Sequence, residues 1–193
     1  MILSWQKDRG TTNNLLNRDL QSIGIAHSVF AHRVSDVGIE LRVGIAEDRE
    51  DNIADVGFGV SQVLPVLVAL RTAEPGRLVY LEEPEIHLHP RAQTKLADIL
   101  AVAAKRGVRV VAETHSTLLL TAIQTLVAKG ELRHNLVKLH WFQCDPKTGI
   151  TEVSSTGLNA NGAFREDWPE DFDEVILDTD RQYLDAVSER STG

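Results

Sequence analysis

Acidic and histidine side chains directly follow two apolar segments of the sequence. Glu82 and Glu83 come after the run Leu78–Leu81, and His115 stands just beyond Val108–Ala112. In an open parallel sheet, ligands bind beyond the carboxyl ends of the strands, so these side chains would share one site. Adjacent carboxylates suit phosphoryl chemistry, because one can hold a divalent cation while the other orients a water molecule. The spacing therefore predicts a metal-assisted phosphoryl site.

A glycine-spaced segment, GFGVSQ at residues 57–62, is a third polar element. It opens into the apolar stretch Val63–Leu70, which predicts a helix capped by Gly59 or Ser61 with Pro65 in its first turn. Backbone amides at a helix N-terminus favour a phosphate, since they lack partners inside the helix. We therefore expect this segment to lie near the same chemistry.

Hydrophobic periodicity predicts the strands and helices that must position these residues. In chain order they are a helix at Leu15–Ile23, strands at His27–Val34 and Ile39–Ile45, the helix after GFGVSQ, a strand at Arg77–Leu81, a helix at Arg91–Arg106, a strand at Val108–Ala112 and a helix at Thr117–Lys129. The charge run Glu47–Asp55 is expected to be a solvated loop. The alternating order implies a parallel sheet with right-handed crossovers, whose apolar strands would be buried on both faces.

The C-terminal part predicts a smaller appendage. Leu136–Gln143, a Pro-Lys-Thr-Gly turn and Ile150–Val153 have the pattern of a hairpin. An ordered loop over Gly157–Glu174 and a terminal helix at Val175–Val187 are expected to follow.

Composition places the chain among single-domain globular proteins. It has 193 residues, of which 42% are hydrophobic, and its formal charge of -8 argues against gripping nucleic acid through net charge. The single cysteine, Cys144, excludes an internal disulfide and a cysteine-rich zinc site. No apolar run approaches the roughly 20 residues of a membrane helix, and residues 1–10 lack the apolar core of a signal peptide. We therefore expect a cytoplasmic protein with no membrane partner.

Three segments together resemble the motifs of ABC-type ATPases. They are DVGFGVSQVLPVLVAL for the signature, LVYLEEPEIHLHPRAQTKLADIL for the Walker B segment and D-loop, and VVAETHSTLL for the switch histidine. The sequence resembles the AAA-like ATPases related to the overcoming-lysogenization-defect (OLD) proteins. Its tail, LNANGAFREDWPEDFDEV, is similar to a small C-terminal domain of unknown function attached to many of them. The resemblance implies an α/β fold, a three-layer ABC-type ATPase lobe with a parallel sheet core and a small C-terminal hairpin and loop.

The resemblance also implies a role for each matching position, with ATP and Mg²⁺ as cofactors. Glu82 corresponds to the Walker B acid that helps to hold magnesium, and Glu83 to the general base that orients the attacking water. His115 corresponds to the switch histidine that senses the γ-phosphate, and His87–Pro90 to the D-loop between two subunits. In the family the signature segment closes over a nucleotide bound to the opposite subunit. Its matching residues here are Gly57, Gly59, Ser61 and Gln62.

The phosphate-binding loop of the family, G-x-x-x-x-G-K-[ST], does not occur in the sequence. The resemblance therefore implies a distal lobe, with residues 1–55 leading into it, the motif-bearing lobe at 56–134 and the appendage at 135–193. Such a lobe would need a Walker A lobe or second subunit, in a homo- or hetero-oligomer, and would be inactive alone. DNA or a nuclease is the effector that the resemblance suggests, in DNA maintenance or phage defence.

Two other functions are consistent with the same residues. One is a non-catalytic interaction or regulatory module derived from such an ATPase. The other is a metal-dependent hydrolase that uses His87, His89 and His115, because imidazoles two residues apart on an extended segment share a face. Basic side chains that would serve a DNA partner are expected instead to be solvated charges. They are Arg91, Lys95, Lys105, Arg106 and Arg109.

Overall fold

The computed structural model of the protein describes residues 11–35, 38–46, 49–165 and 181. The chain divides into two compact units between Ile123 and Gln124. The helices are α1 (Thr11–Ile23), α2 (Phe58–Thr72), α3 (Pro90–Lys105) and α4 (Thr117–Ala128), with a 3₁₀ turn at His134–Leu136. The strands are β1 (Ser28–Arg33), β2 (Ile39–Ala46), β3 (Arg49–Asn52), β4 (Leu78–Glu82), β5 (Arg109–Glu113), β6 (Lys138–Cys144) and β7 (Thr151–Gly157).

The strands form an antiparallel sheet β1–β2–β3, a parallel pair β4–β5 and an antiparallel hairpin β6–β7. The predicted α/β class, with a parallel pair and a C-terminal hairpin, is thereby confirmed. Among the described residues, no helix is long and apolar enough to cross a membrane. Apart from residue 181, the helix expected at Val175–Val187 lies outside the described residues, as does the second half, residues 166–174, of the loop expected at Gly157–Glu174. The three-segment division at 55 and 134 stays a prediction.

The charged segment after β2 forms a strand, so the expectation of a solvated loop there is wrong for residues 49–52. Strand β3 pairs with β2 through Arg42 opposite Asn52 and Val43 opposite Asp51. Charged side chains suit this edge strand because its residues are exposed or half-buried. Within it, the Arg49 Nη2 atom lies 3.1 Å from Asp51 Oδ2.

The core of the first unit is formed by apolar faces of α1, α2 and α3. Along α2 the buried residues follow helical spacing, and α3 buries a similar stripe that includes Leu96 and Leu100. In α1, Leu16 and Leu20 are fully buried. Asp19 of α1 accepts two hydrogen bonds from the guanidinium of Arg71 in α2, which joins these helices by a buried ion pair. The core positions of α2 are Val60, Val63, Leu64, Leu67 and Leu70.

Helix α2 begins earlier than expected. Gly57 is its N-cap and Phe58 its first residue, so the expected cap at Gly59 or Ser61 is wrong. Pro65 accordingly lies inside the helix and not in its first turn. With this start, Val60 lies in the first turn and belongs to the buried stripe. Pro65 lies on the exposed side of the helix and cannot donate a backbone hydrogen bond.

Helix α3 begins and ends one residue before its predicted bounds, and its C-terminal end makes a contact that was not predicted from the sequence. It begins with Pro90 in its first turn after the N-cap His89. At its other end, Arg106 Nη2 donates to the carbonyl oxygens of Leu70 and Ala73, at 3.0 and 2.7 Å. These carbonyls end α2 and lack partners within it. The expectation that Arg106 is a solvated charge is therefore wrong.

The parallel pair β4–β5 is buried on one face only, so the expectation of strands buried on both faces is wrong. Leu81 is 8% exposed, whereas Leu78, Tyr80 and Val111 are 64%, 55% and 49% exposed. The pairing places Leu78 opposite Arg109 and Tyr80 opposite Val111, so the exposed residues share one face. Alternation along a strand gives this result when only one face is packed.

In the second unit, the β6–β7 hairpin closes through a turn at Asp145–Gly149. The Asp145 carboxylate accepts hydrogen bonds from the Lys147 amide and the Thr148 hydroxyl, both at 2.8 Å. The Lys147 amide is the main reason that the pKa of Asp145 lies below its ordinary value. Cys144, the last residue of β6, is exposed.

Candidate functional site

Strands β4 and β5 carry the predicted functional residues to the same edge of the sheet. The two strands run in parallel with Glu82 opposite Glu113 at the last register position. The amide of Glu83 donates to the Glu113 carbonyl at 2.9 Å, which extends the pairing by one step. The segments after the two strands therefore leave side by side, one with Glu83 and the other with His115.

The structure brings Glu83 and His115 together. Glu83 Oε1 lies 3.6 Å from His115 Nε2, and their side chains are 42% and 79% exposed. The backbone of Glu83 has φ of +41°, an uncommon conformation for a residue with a side chain. In this arrangement the carboxylate can take a proton from a water molecule, and the imidazole can donate a hydrogen bond to an anion.

A cavity of about 410 Å³ adjoins this pair. Its wall includes Glu83, Glu85, His87, Gln93, His115 and Ser116. Glu85 is 6% exposed, in contrast to the more exposed Glu83 and His115. The cavity is therefore lined by polar groups, one of which is a buried carboxyl, together with the apolar side chains of Ile86 and Leu118.

Hydroxyl groups on both sides of His115 are hydrogen-bonded. The Thr114 hydroxyl donates to Glu85 Oε1, and it accepts from the Ser116 amide at 3.0 Å. The Ser116 hydroxyl donates to Gln93 Oε1 at 2.7 Å. These bonds connect the segment that carries His115 to the segment that follows Glu83.

Glu82 lies on the exposed face of the sheet, beside Glu113 and Tyr80. The Tyr80 hydroxyl donates to Glu113 Oε2 at 3.2 Å. This hydrogen bond is the main reason that the pKa of Tyr80 is raised, and the nearby charge of Glu82 adds to it. The end of this face is therefore negatively charged.

Carboxylate oxygens are ligands that Mg²⁺ prefers, so the donor chemistry of Glu82 and Glu113 fits this ion. Among the described residues there is no group of three or more His, Cys, Asp or Glu side chains that could hold a metal.

The histidines of the metal-dependent hydrolase hypothesis have three different partners. The His87 ring lies 6.0 Å from the Phe58 ring, between centroids, and His89 Nδ1 accepts from the Arg91 amide at 3.3 Å. His115 instead contacts Glu83. His87 and His115 line the same cavity, but no group of three or more His, Cys, Asp or Glu side chains among the described residues could hold a metal, so the geometry does not support the hypothesis.

The signature segment lies beside His87 and does not line the cavity next to Glu83. A Cβ atom built on Gly59 would be 3.6 Å from the His87 carbonyl oxygen. The Ser61 hydroxyl donates to the Phe58 carbonyl at 3.0 Å, inside the first turn of α2. Gly57 and Gln62 are exposed. The predicted nucleotide-binding residues thus form a group of their own.

Tyr80, Glu85, Gln93 and Ser116 lie at the site but were not predicted from the sequence. Tyr80 and Gln93 gave no signal, because a tyrosine in a strand and a glutamine in a helix are ordinary. Glu85 stands in the quoted LEEPE run, where a third acid drew no attention. Its burial became apparent only in the folded chain.

The sequence matches a known family model over part of its length. Residues 28–121 match the model of a family described as "AAA domain, putative AbiEii toxin, Type IV TA system". This range contains Glu82, Glu83 and His115 together with the signature segment. No curated protein matches the sequence.

Solved structures give likenesses across most of the chain. A structure concerned with ATP-driven dimerization and DNA-stimulated activation of SMC ATPases has a TM-score of 0.61 at 11% identity, over 93% of this chain and 96% of that one. A second similar structure is the Smc head domain of Pyrococcus furiosus with an extended coiled coil, bound to the C-terminal domain of ScpA. Its TM-score is 0.55 at 11% identity, over 92% of this chain. The SmcHead bound to the C-winged helix domain of ScpA has a TM-score of 0.57 at 13% identity, over 76% of this chain.

This chain spans 37% and 42% of the latter two chains. At 11–13% identity, these likenesses concern the fold. The family match covers the segment that carries the candidate site. The protein has an α/β fold similar to that of the SMC ATPase heads, and its residues 28–121 match the model of an AAA domain.

Proposed function

We propose that this chain is the distal lobe of an ABC-type ATPase, which binds and hydrolyses ATP with Mg²⁺ only together with a lobe that carries the phosphate-binding loop. The observation that carries the proposal is the 3.6 Å approach of Glu83 to His115 at the carboxyl ends of two parallel strands. The match of this segment to an AAA domain supports it. A relationship to the OLD-type ATPases is part of the same proposal.

In this proposal Glu83 is the general base. Its carboxylate is accessible and can orient a water molecule for attack on the γ-phosphate. His115 contacts Glu83 and donates a hydrogen bond to a phosphate oxygen. Glu82 would hold a magnesium ion at the exposed face of the sheet. When bound, Mg²⁺ would offset the negative charge of the phosphates.

A second lobe is needed for two reasons. The sequence contains no G-x-x-x-x-G-K-[ST] loop, whose amides and lysine would cradle the phosphates. The apolar residues Leu78, Tyr80 and Val111 are exposed on the face that also carries Glu82. A lobe packed on this face would cover those residues and bring its phosphate loop to the acidic end of the sheet.

The signature residues support a role toward another subunit. Gly57, Gly59, Ser61 and Gln62 stand apart from the cavity next to Glu83, so we propose that they bind ATP held by a partner. An assembly of this kind is a homo- or hetero-oligomer with nucleotide between its subunits. The SMC ATPases that this fold resembles are described by ATP-driven dimerization.

DNA is the effector that we propose, either directly or through a nuclease partner, in the cytoplasm. The DNA-stimulated activation named for the similar SMC ATPases supports DNA maintenance. The toxin in the description of the matching family model supports phage defence instead.

The test is ATP binding and turnover by the isolated chain with Mg²⁺, alongside its oligomeric state by light scattering. We expect neither binding nor turnover alone, and turnover once a polypeptide with a Walker A lobe is added. Glu83→Gln should then abolish turnover in the pair and trap bound ATP. Turnover by the isolated chain that Glu83→Gln abolishes would contradict the need for a second lobe.

The exposed apolar strip formed by Leu78, Tyr80 and Val111 also favours a second candidate function. In this function the chain is a non-catalytic module that binds a partner ATPase or nuclease. This function predicts a stable complex that survives Glu83→Gln and has no turnover attributable to this chain. Parallel measurement of complex formation and turnover therefore separates the two candidates.

A further inference from the structure

The carboxyl group of Glu85 is buried with only one of its oxygens paired. Its Oε1 atom accepts from the Thr114 hydroxyl, whereas Oε2 is buried and has no hydrogen-bond partner among the described residues. Asp19 is equally buried, but both of its oxygens are paired with Arg71. A buried carboxyl that lacks full pairing is costly and therefore requires an explanation.

The position of Glu85 supplies that explanation. Glu85 follows Glu83 by two residues, and Thr114 directly precedes His115. Their hydrogen bond therefore joins the two segments right next to the proposed catalytic pair. Glu83 also has a positive φ, a conformation that persists only where its surroundings enforce it.

A second connection holds the other side of His115. The Ser116 hydroxyl donates to Gln93 Oε1, and Gln93 Nε2 donates to the Leu88 carbonyl at 3.0 Å. Thr114 and Ser116 flank His115, so its backbone is held from both directions. Of these two connections, the one through Glu85 leads to the segment nearest Glu83.

We propose that Glu85 is a positioning residue, which fixes Thr114 and thereby holds His115 at the distance from Glu83 that the reaction requires. The inference rests on the proposed function for its effect on turnover, but its geometric part concerns this chain alone. Without the hydrogen bond, the segment with His115 loses one of its two connections and can shift relative to Glu83. Displacements of about 1 Å in an active site can lower turnover by about a hundredfold.

The geometric part can be tested without ATP. The Ser116 amide donates to the Thr114 hydroxyl, whose own donation to Glu85 fixes its orientation. In the isolated chain, Glu85→Ala should accelerate hydrogen exchange of the Ser116 amide about fivefold, the factor that one ordinary hydrogen bond represents. Glu85→Gln retains an acceptor and should leave exchange near that of the parent. The Gly107 amide, which donates to Ala104, serves as a remote control.

The kinetic part uses the pair reconstituted with a Walker A lobe. Glu85→Ala and Thr114→Val should lower kcat by about tenfold or more with the KM for ATP unchanged, because positioning and not binding is lost. Thr114→Ser retains the hydroxyl and should restore kcat. Thr94→Val is the matched control, since the Thr94 hydroxyl donates a hydrogen bond to the Arg91 carbonyl within its own helix.

Three results would overturn the inference: Ser116 exchange unchanged in Glu85→Ala, an equal loss of kcat in Glu85→Gln and Glu85→Ala, or no rescue by Thr114→Ser. If Glu85→Ala does not fold, Glu85→Met, which fills a similar space without an acceptor, replaces it in the exchange measurement, and Thr114→Val against Thr114→Ser decides the kinetic part. A pair that is inactive even with the parent chain would contradict the proposed function, while exchange at Ser116 would still decide the geometry.

Discussion

Glu82 and Glu113 lie directly opposite each other at the ends of two parallel strands, and both side chains are exposed. Two carboxylates on one face repel a polyphosphate and attract a cation. A nucleotide therefore approaches this end of the sheet favourably only when its charge is offset by a metal ion and by a cationic loop. In the proposed function, the partner lobe would supply that cationic loop.

The first prediction concerns the titration of Tyr80. The hydrogen bond to Glu113 favours the protonated phenol, so its phenolate should form above the ordinary pKa of 10.0. Phenolate absorbance reports it cleanly, because the chain has only two tyrosines and Tyr80→Phe identifies the signal. Glu113→Gln should move the titration back toward 10.0, whereas Glu74→Gln, a matched exposed control, should not.

The sign of the effect on stability follows from the raised pKa. Tyr80 contributes its stabilisation fully below pH 10.0, and that contribution is lost as the pH rises through the raised value. A titration that does not respond to Glu113→Gln would contradict the role of this hydrogen bond.

The second prediction separates the two adjacent glutamates. In the reconstituted pair, Glu82→Gln should raise the Mg²⁺ concentration needed for half-maximal turnover by about tenfold, because a charged ligand of the ion becomes neutral. Glu83→Gln should abolish turnover while ATP still binds at the parental Mg²⁺ concentration. The measurement is turnover and nucleotide binding across a magnesium titration. Equal effects of both variants on magnesium dependence would contradict the division of roles.

The position of Glu83 and His115 was predictable because position after a strand is a local property of the sequence. Two apolar runs followed by polar residues were enough to place them at one edge, given a parallel crossover. The start of α2 was less predictable, since Gly57, Gly59 and Ser61 are all residue types that can cap a helix. In the structure Gly57 is the N-cap, and Val60 in the first turn is buried.

Features that depend on distant partners could not be predicted. Strand β3 is a charged segment whose conformation is set by pairing with β2. The run Leu78–Leu81 is apolar throughout, and nothing in it tells which face is packed. Glu85 acquires its environment from Thr114, 29 residues away. In each case the deciding contact lies outside the local pattern.

The third prediction concerns the turn of the C-terminal hairpin. Hydrogen bonds from the Lys147 amide and the Thr148 hydroxyl favour the ionised form of Asp145 and lower its pKa from 3.8. Its stabilisation is therefore present above pH 3.8 and is lost as the pH falls through the lowered value. Asp145→Ala should remove this acid-dependent loss of stability of the hairpin. The measurement is the fluorescence of Trp141 in β6, in a background with Trp5→Phe and Trp168→Phe because the chain has three tryptophans. Thr151→Ala, at the exposed start of β7, is the control that should retain it.

The fourth prediction tests the exposed face of the β4–β5 sheet as the surface that receives the second lobe. Leu78 is exposed, so Leu78→Asp should change the stability of the isolated chain by less than about 0.5 kcal/mol, as surface substitutions usually do. It should nevertheless weaken the complex with a Walker A lobe at least tenfold, because a charge would be buried against an apolar surface. The measurements are urea unfolding of the chain and titration calorimetry of the pair.

Leu81 provides the contrast because it lies on the packed face of the same strand. Leu81→Ala should cost about 2–5 kcal/mol in the free energy of unfolding, as expected for a buried leucine. With enough of the variant folded, its affinity for the partner lobe should stay near that of the parent. Unimpaired binding by Leu78→Asp would place the partner elsewhere, and the exposed strip would then have no part in assembling the ATPase.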